Sequence, residues 1–143
     1  MLMRGVVFAV LLLFLAGCSH GRSHASFRVN GERGIGPALD FADIAPGSVR
    51  AVRDPNTGAP VVVLDLTRSG VREFNALTRN LARRGAALHR QLHVLISVDG
   101  RVVTRPYIDY RLFPNGLPGN NGIEINGLPS MKAARRLAKE LNG

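Results

Sequence analysis

His20 and His24, and again His89 and His93, stand four residues apart. On a helix that spacing sets two imidazoles on one face, where a further Cys or Glu would complete a metal site. The first pair lies in a Gly- and Ser-rich stretch. The second straddles a helix exit and a strand start, so its rings do not share a face. Solvated histidines are expected, and no metal. Nucleophilic catalysis needs a nucleophile beside an oriented base. Ser48, Ser69, Ser97 and Ser130 fall in strand or cap settings without a Gly-x-Ser-x-Gly elbow, and Asp65, Asp99 and Asp109 are spread over strand ends and turns. The glycine-rich run from Asn115 to Gly122 lacks the Gly-Lys-Ser/Thr of a phosphate loop. A non-enzymatic chain without cofactor is the expectation.

Cys18 is the one cysteine. Arg4 gives a positive start, Gly5 to Ala16 is almost wholly apolar, and Leu15-Ala16-Gly17 leads directly into the thiol. That order is the anatomy of a secretory signal. About a dozen apolar residues fall short of the ~20 that span a bilayer. Cysteine directly after the small residues resembles the lipobox of a bacterial lipoprotein. The resemblance implies cleavage before Cys18, a thioether-linked diacylglycerol on its sulfur, and palmitate or another acyl chain on the new amino end. The expectation is a signal peptide over 1–17, a lipidated cysteine and flexible tether over 18–38, and one folded domain over 39–143. Its place would be the cell membrane, lipid-anchored on the extracytoplasmic face.

No second segment is apolar enough to span a membrane. Once Cys18 is acylated the core must hold by packing alone, even in an oxidising compartment. The formal net charge is +9, or +8 without Arg4, and all but two of the basic residues are arginine. A basic balance favours anionic partners. The arginines are spread along the chain without a block of five, so nucleic acid is not expected, whereas attraction to an anionic membrane surface is.

The elements that would position these groups follow from period and turn chemistry. Ser48–Arg53 alternates as a half-buried strand. Asp54-Pro55-Asn56-Thr57-Gly58 is a turn, and Pro60–Leu66 a β-branched return strand. Thr67 or Ser69 caps a helix whose Val71, Phe74, Leu77 and Leu81 form one apolar stripe; Gly85 ends it. Leu92–Val98 and Arg101–Thr104 flank Asp99-Gly100, a strong hairpin signal. Ile123–Ile125 is a short strand, and Ser130–Leu141 a second amphipathic helix. The fold class is α+β: a mainly antiparallel sheet of about five strands, with two amphipathic helices packed on one face.

Several ordered motifs carry a resemblance. Thr57-Gly58-Ala59-Pro60-Val61-Val62 is followed by Thr67-x-x-Gly70-x-x-x-Phe74-x-x-Leu77-Thr78. Then come Leu95–Val103, Pro106–Tyr110, Pro114-Asn115-Gly116, Asn121–Gly127 and the closing helix. Together, over about residues 48–142, they resemble the head subdomain in the first periplasmic domain of SecD, in the SecD/SecF protein-export family. SecD carries six membrane helices and a base subdomain that this sequence does not show. The resemblance implies contact with emerging polypeptide, without the proton-coupled movement. Tyr107, Tyr110, Asn115 and Asn121, on and beside the 114–122 loop, are the expected binding residues. Unfolded secretory polypeptide or translocon components are the expected partners. The alternative is a structural or sensing envelope lipoprotein that reuses the fold to bind lipid, wall polymer or a partner protein.

Overall fold

The computed structural model describes residues 26–142. Cys18, His20, His24 and the signal segment 1–17 lie outside the described residues.

Among the described residues eight strands and two α-helices build an α+β fold with all pairings antiparallel. In the larger sheet β2 (Leu39–Asp40), β1 (Phe27–Gly31), β5 (Leu92–Val98) and β6 (Arg101–Thr104) lie side by side, and β7 (Tyr107–Ile108) also pairs with β5. In the smaller sheet β3 (Arg50–Arg53), β4 (Pro60–Leu64) and β8 (Ile123–Ile125) run in that order. Helix α1 (Arg68–Leu88) packs on the larger sheet and α2 (Met131–Asn142) on β3 and β4 of the smaller. Two sheets, each with its own helix, therefore replace the single sheet expected. One edge of β5 pairs with β1 and the other with β6 and β7, so β8 pairs with β4 instead.

Residues 27–38, expected within the flexible tether, are also corrected. Phe27 and Val29 are buried while Arg28 faces solvent, the period-two pattern of a strand. β1 gains its ladder from β5, more than sixty residues along the chain, with Asn30 opposite Leu95. At its start the Ser26 N–H donates to Asp99 Oδ1 (2.8 Å) and the Asp99 N–H donates to the Ser26 carbonyl (2.7 Å). Asp99 and Gly100 both have positive φ, 50° and 76°, as a tight hairpin between twisted strands requires.

Thr67 Oγ1 accepts the Gly70 N–H at 3.0 Å and caps α1. Phe74, Leu77 and Leu81 are buried against the sheet; each contributes on the order of 1.5–3 kcal/mol relative to exposure. The helix does not stop at Gly85. It runs to Leu88 and closes with His89 in the left-handed region (φ 51°), the Arg90 N–H donating to the Gly85 carbonyl at 3.0 Å. Glycine is needed at 85 because a Cβ there would lie 2.7 Å from the Arg90 carbonyl oxygen. Ser130 Oγ accepts the Ala133 N–H at the start of α2, and Asn142 at its end bonds both main-chain groups of Val49. Residues from both sheets and both helices meet in one apolar core.

Candidate functional site

The two sheets leave a gap between the outer edge of β7 and the outer edge of β8. β8 is the terminal strand of its sheet, and its outward main-chain groups have no backbone partner among the described residues. Between the edges lies a cleft of about 420 Å³. Phe74, Val94, Ile96, Ile108 and Ile123 supply apolar side chains to its lining. Pro106, Tyr107 and Phe113 line it from exposed positions, with Tyr107 55% and Phe113 43% accessible; Leu112, beside Phe113, is 71% accessible. Glu124 is the one charged residue in the lining. An apolar cleft with exposed aromatics and a free strand edge can take an extended chain by main-chain pairing, with pockets for alternate side chains.

Three contacts fix the loop that carries Phe113. Thr78, a buried polar residue on α1, has an Oγ1 that donates to the Phe74 carbonyl (3.0 Å) and accepts the Leu117 N–H (2.8 Å). Asn75 Nδ2 donates to the Leu117 carbonyl at 3.2 Å. Gly116, at φ 79°, lies so close to α1 that a Cβ would stand 2.5 Å from the Arg79 nitrogen. Loop and helix thus form one wall.

Of the residues expected to bind, Tyr107 and Asn121 line this cleft. Tyr110 does not. It is half-buried against the core near Gly85, with the Arg111 guanidinium 5.5 Å from its ring centroid. Asn115 is exposed on the loop but does not line the cleft. The sequence reading missed Phe74, Pro106, Ile123 and Glu124 as lining. Only Pro106-Tyr107 gave a local signal, a proline at an edge strand. Two of the serines are engaged structurally: Ser48 Oγ bonds the main chain of Asp65, and Ser130 caps α2.

His93 is not simply solvated. Its Nδ1–H donates to Glu32 Oε2 at 2.8 Å, and its main-chain N–H donates to the same oxygen at 2.9 Å. The Arg90 guanidinium bonds the other carboxylate oxygen. The His93 hydrogen bonds, more than the Arg90 charge, hold the Glu32 carboxyl below its ordinary range. The His93 ring meets Tyr107 edge-on, with centroids 6.4 Å apart. Glu32 therefore orients the imidazole that stands against the cleft's exposed tyrosine. A depressed carboxylate pKa means stability present above the unfolded value near 4.5 and lost as pH falls through the lower folded value. Glu32→Gln should lower the thermal midpoint at neutral pH by about 4 °C, the shift that about 1 kcal/mol produces in a domain of this size. The gap from wild type should close in acid, as thermal melts across pH would show.

Among the described residues no helix is long and apolar enough to cross a membrane, and no three His, Cys, Asp or Glu side chains converge as metal ligands.

Residues 43–143 match the family described as the SecDF P1 head subdomain. Two solved structures are similar at 30% identity, each over 78% of this chain. One is SecDF in a super-membrane-facing form, at a TM-score of 0.59. The other, at 0.58, is described as a membrane component, SecDF, that enhances protein export. The chain spans 13% of the first and 43% of the second. No curated protein matches it significantly.

Proposed function

The chain belongs to the SecDF P1 head family, and from that premise we propose that it is a non-enzymatic extracytoplasmic lipoprotein that holds extended polypeptide beside the membrane, accessory to protein export. The observation that carries this reading is the unpaired edge of β8 beside an apolar cleft rimmed by Tyr107 and Phe113. A secretory chain not yet folded exposes main-chain groups and alternating apolar side chains. A free edge pairs with any such main chain, and the cleft buries whichever apolar side chains face it. Recognition of this kind tolerates sequence, as an export accessory needs. Tyr107 and Asn121 contact the bound chain; Tyr110 and Asn115 act from outside the cleft, supporting and tipping its loop.

Titration of the purified protein with unfolded secretory polypeptides tests the reading. Saturable binding at micromolar concentration is expected. A peptide N-methylated at alternate residues, which cannot complete the ladder, should bind at least tenfold more weakly. Absence of binding at tens of micromolar, or indifference to N-methylation, would remove strand addition as the mode.

The Leu15-Ala16-Gly17-Cys18 sequence supports anchoring through lipid at Cys18. One acyl chain holds a protein only marginally, whereas two or more hold it stably. Cys18→Ala should abolish palmitate labelling and release the protein from the membrane fraction; labelling that survives the substitution would refute the anchor.

A further inference from the structure

Arg68, Arg72, Arg79 and Arg83 follow one another on α1 at steps of four, seven and four residues. At 3.6 residues per turn these fall within an arc of about 60°, and they extend about 22 Å along the axis. All four are exposed and lie away from the buried stripe of Phe74, Leu77 and Leu81; Arg84, also exposed, stands about 100° further round the helix than Arg83. Glu73 is the one acidic residue of the helix, about 100° from Arg72. Among the described residues no carboxylate pairs with any of these five guanidinium groups; that of Arg79 bonds the Asn75 side-chain oxygen.

Near the C-terminal end of the stripe lies a shallow depression of about 440 Å³. Arg83, Arg84 and Asn80 line it together with Ile35, Gly36 and Ala87. Two guanidinium groups and an amide beside small apolar surfaces match a phosphodiester carried on a glycerol. Arginine suits phosphate because its planar fork can donate two bonds at once.

We propose that this face of α1 docks on the anionic phospholipid headgroups of the bilayer, resting on the reading that Cys18 is anchored there. Chain length supports this occupant. The described residues begin at Ser26, with Phe27 the first of β1, so at most residues 19–26 separate the strand from Cys18, a reach of at most about 26–29 Å. A domain of about 13 Å radius of gyration on so short a leash stays close to the surface. Each basic residue that comes near an anionic surface shifts the balance between docked and undocked about fivefold. Neutralising three should shift it roughly a hundredfold.

The test uses the full-length acylated protein in vesicles, with a fluorophore on Ala86→Cys within the stripe or on Asn56→Cys at the β3–β4 turn. Acylation blocks Cys18, so the introduced thiol takes the label. A headgroup-attached quencher should darken the α1 probe in vesicles containing phosphatidylglycerol and leave it bright in pure phosphatidylcholine or high salt. The turn probe should stay bright throughout. Arg72→Gln/Arg79→Gln/Arg83→Gln should lower the docked-to-undocked ratio roughly a hundredfold, whereas the matching lysine triple should keep most of the docking. Equal quenching in both lipids, or a glutamine triple that docks like wild type, would overturn the proposal. Failure to float with neutral vesicles refutes the anchor instead. In that event salt-sensitive, stripe-dependent sedimentation of the unacylated protein with phosphatidylglycerol vesicles still decides the docking: its presence sustains the proposal and its absence overturns it.

Discussion

Gly116→Ala should lower the thermal midpoint by roughly 12 °C and collapse the cleft wall. Gly116 sits at φ 79°, a region that costs a residue with a side chain about 1 kcal/mol. The added Cβ would also stand 2.5 Å from the Arg79 nitrogen and 2.9 Å from its Cα. Those are helix main-chain atoms that cannot step aside, so the loop must lift. Lifting breaks the Leu117 N–H bond to Thr78 Oγ1 and the Asn75 bond to the Leu117 carbonyl, each contributing about 1 kcal/mol. A total of about 3 kcal/mol corresponds to roughly 12 °C in a domain of this size. Gly58→Ala is the control. Gly58 has φ 71° but open space around its Cβ position, so its cost should stay near about 1 kcal/mol. Melting curves of both variants separate the clash from the dihedral; equal losses would show that the loop is not pinned to α1.

Tyr107→Ala/Phe113→Ala should weaken polypeptide binding at least about thirtyfold, with almost no change in thermal midpoint. Both rings are about half exposed, so truncation forfeits little core packing. Both line the cleft, where aromatic anchors carry most of an interface's energy. A loss of about 2 kcal/mol is about thirtyfold in affinity. Leu88→Ala removes an equally exposed apolar side chain that does not line the cleft, and it should bind as wild type. Titration calorimetry on the three proteins checks the result. Equal weakening by Leu88→Ala would mean that binding is merely hydrophobic; no weakening by the double variant would place the polypeptide elsewhere.

Local chemistry made several elements legible. The Asp99-Gly100 hairpin needs only two residues that tolerate positive φ between alternating strands. The α1 stripe repeats at three and four residues, and its cap is a Thr hydroxyl three positions before the amide it accepts. β1 was concealed by composition. Phe27 and Val29 do alternate with Arg28, but the flanking Gly, Ser and Arg read as tether, and the partner that makes a strand of them is β5. Gly85 misled for a related reason. A glycine near a helix end signals a stop, yet here it admits the Arg90 carbonyl. The cleft was least legible because its lining comes from α1, β5, β7, β8 and the intervening loop. Tyr107 and Asn121 were found through the loop they flank. Ile123 and Phe74 read only as core, since nothing local says that two sheet edges will fail to meet.

The placement of β1 has a mechanical consequence. β1 lies between β2 and β5, bonded on both sides, and it is where a lipid anchor would enter the fold. A pull on Ser26 along the strand axis loads the β1–β5 ladder as a whole, in shear, rather than peeling it bond by bond. Sliding the strand out must also drag Phe27 and Val29 from the core. The β1 end is thus the stiff end of the described fold. Tension from a polypeptide seated against β8 would pass through the core to a clamp that yields late, while the short edge strand β8 gives way first.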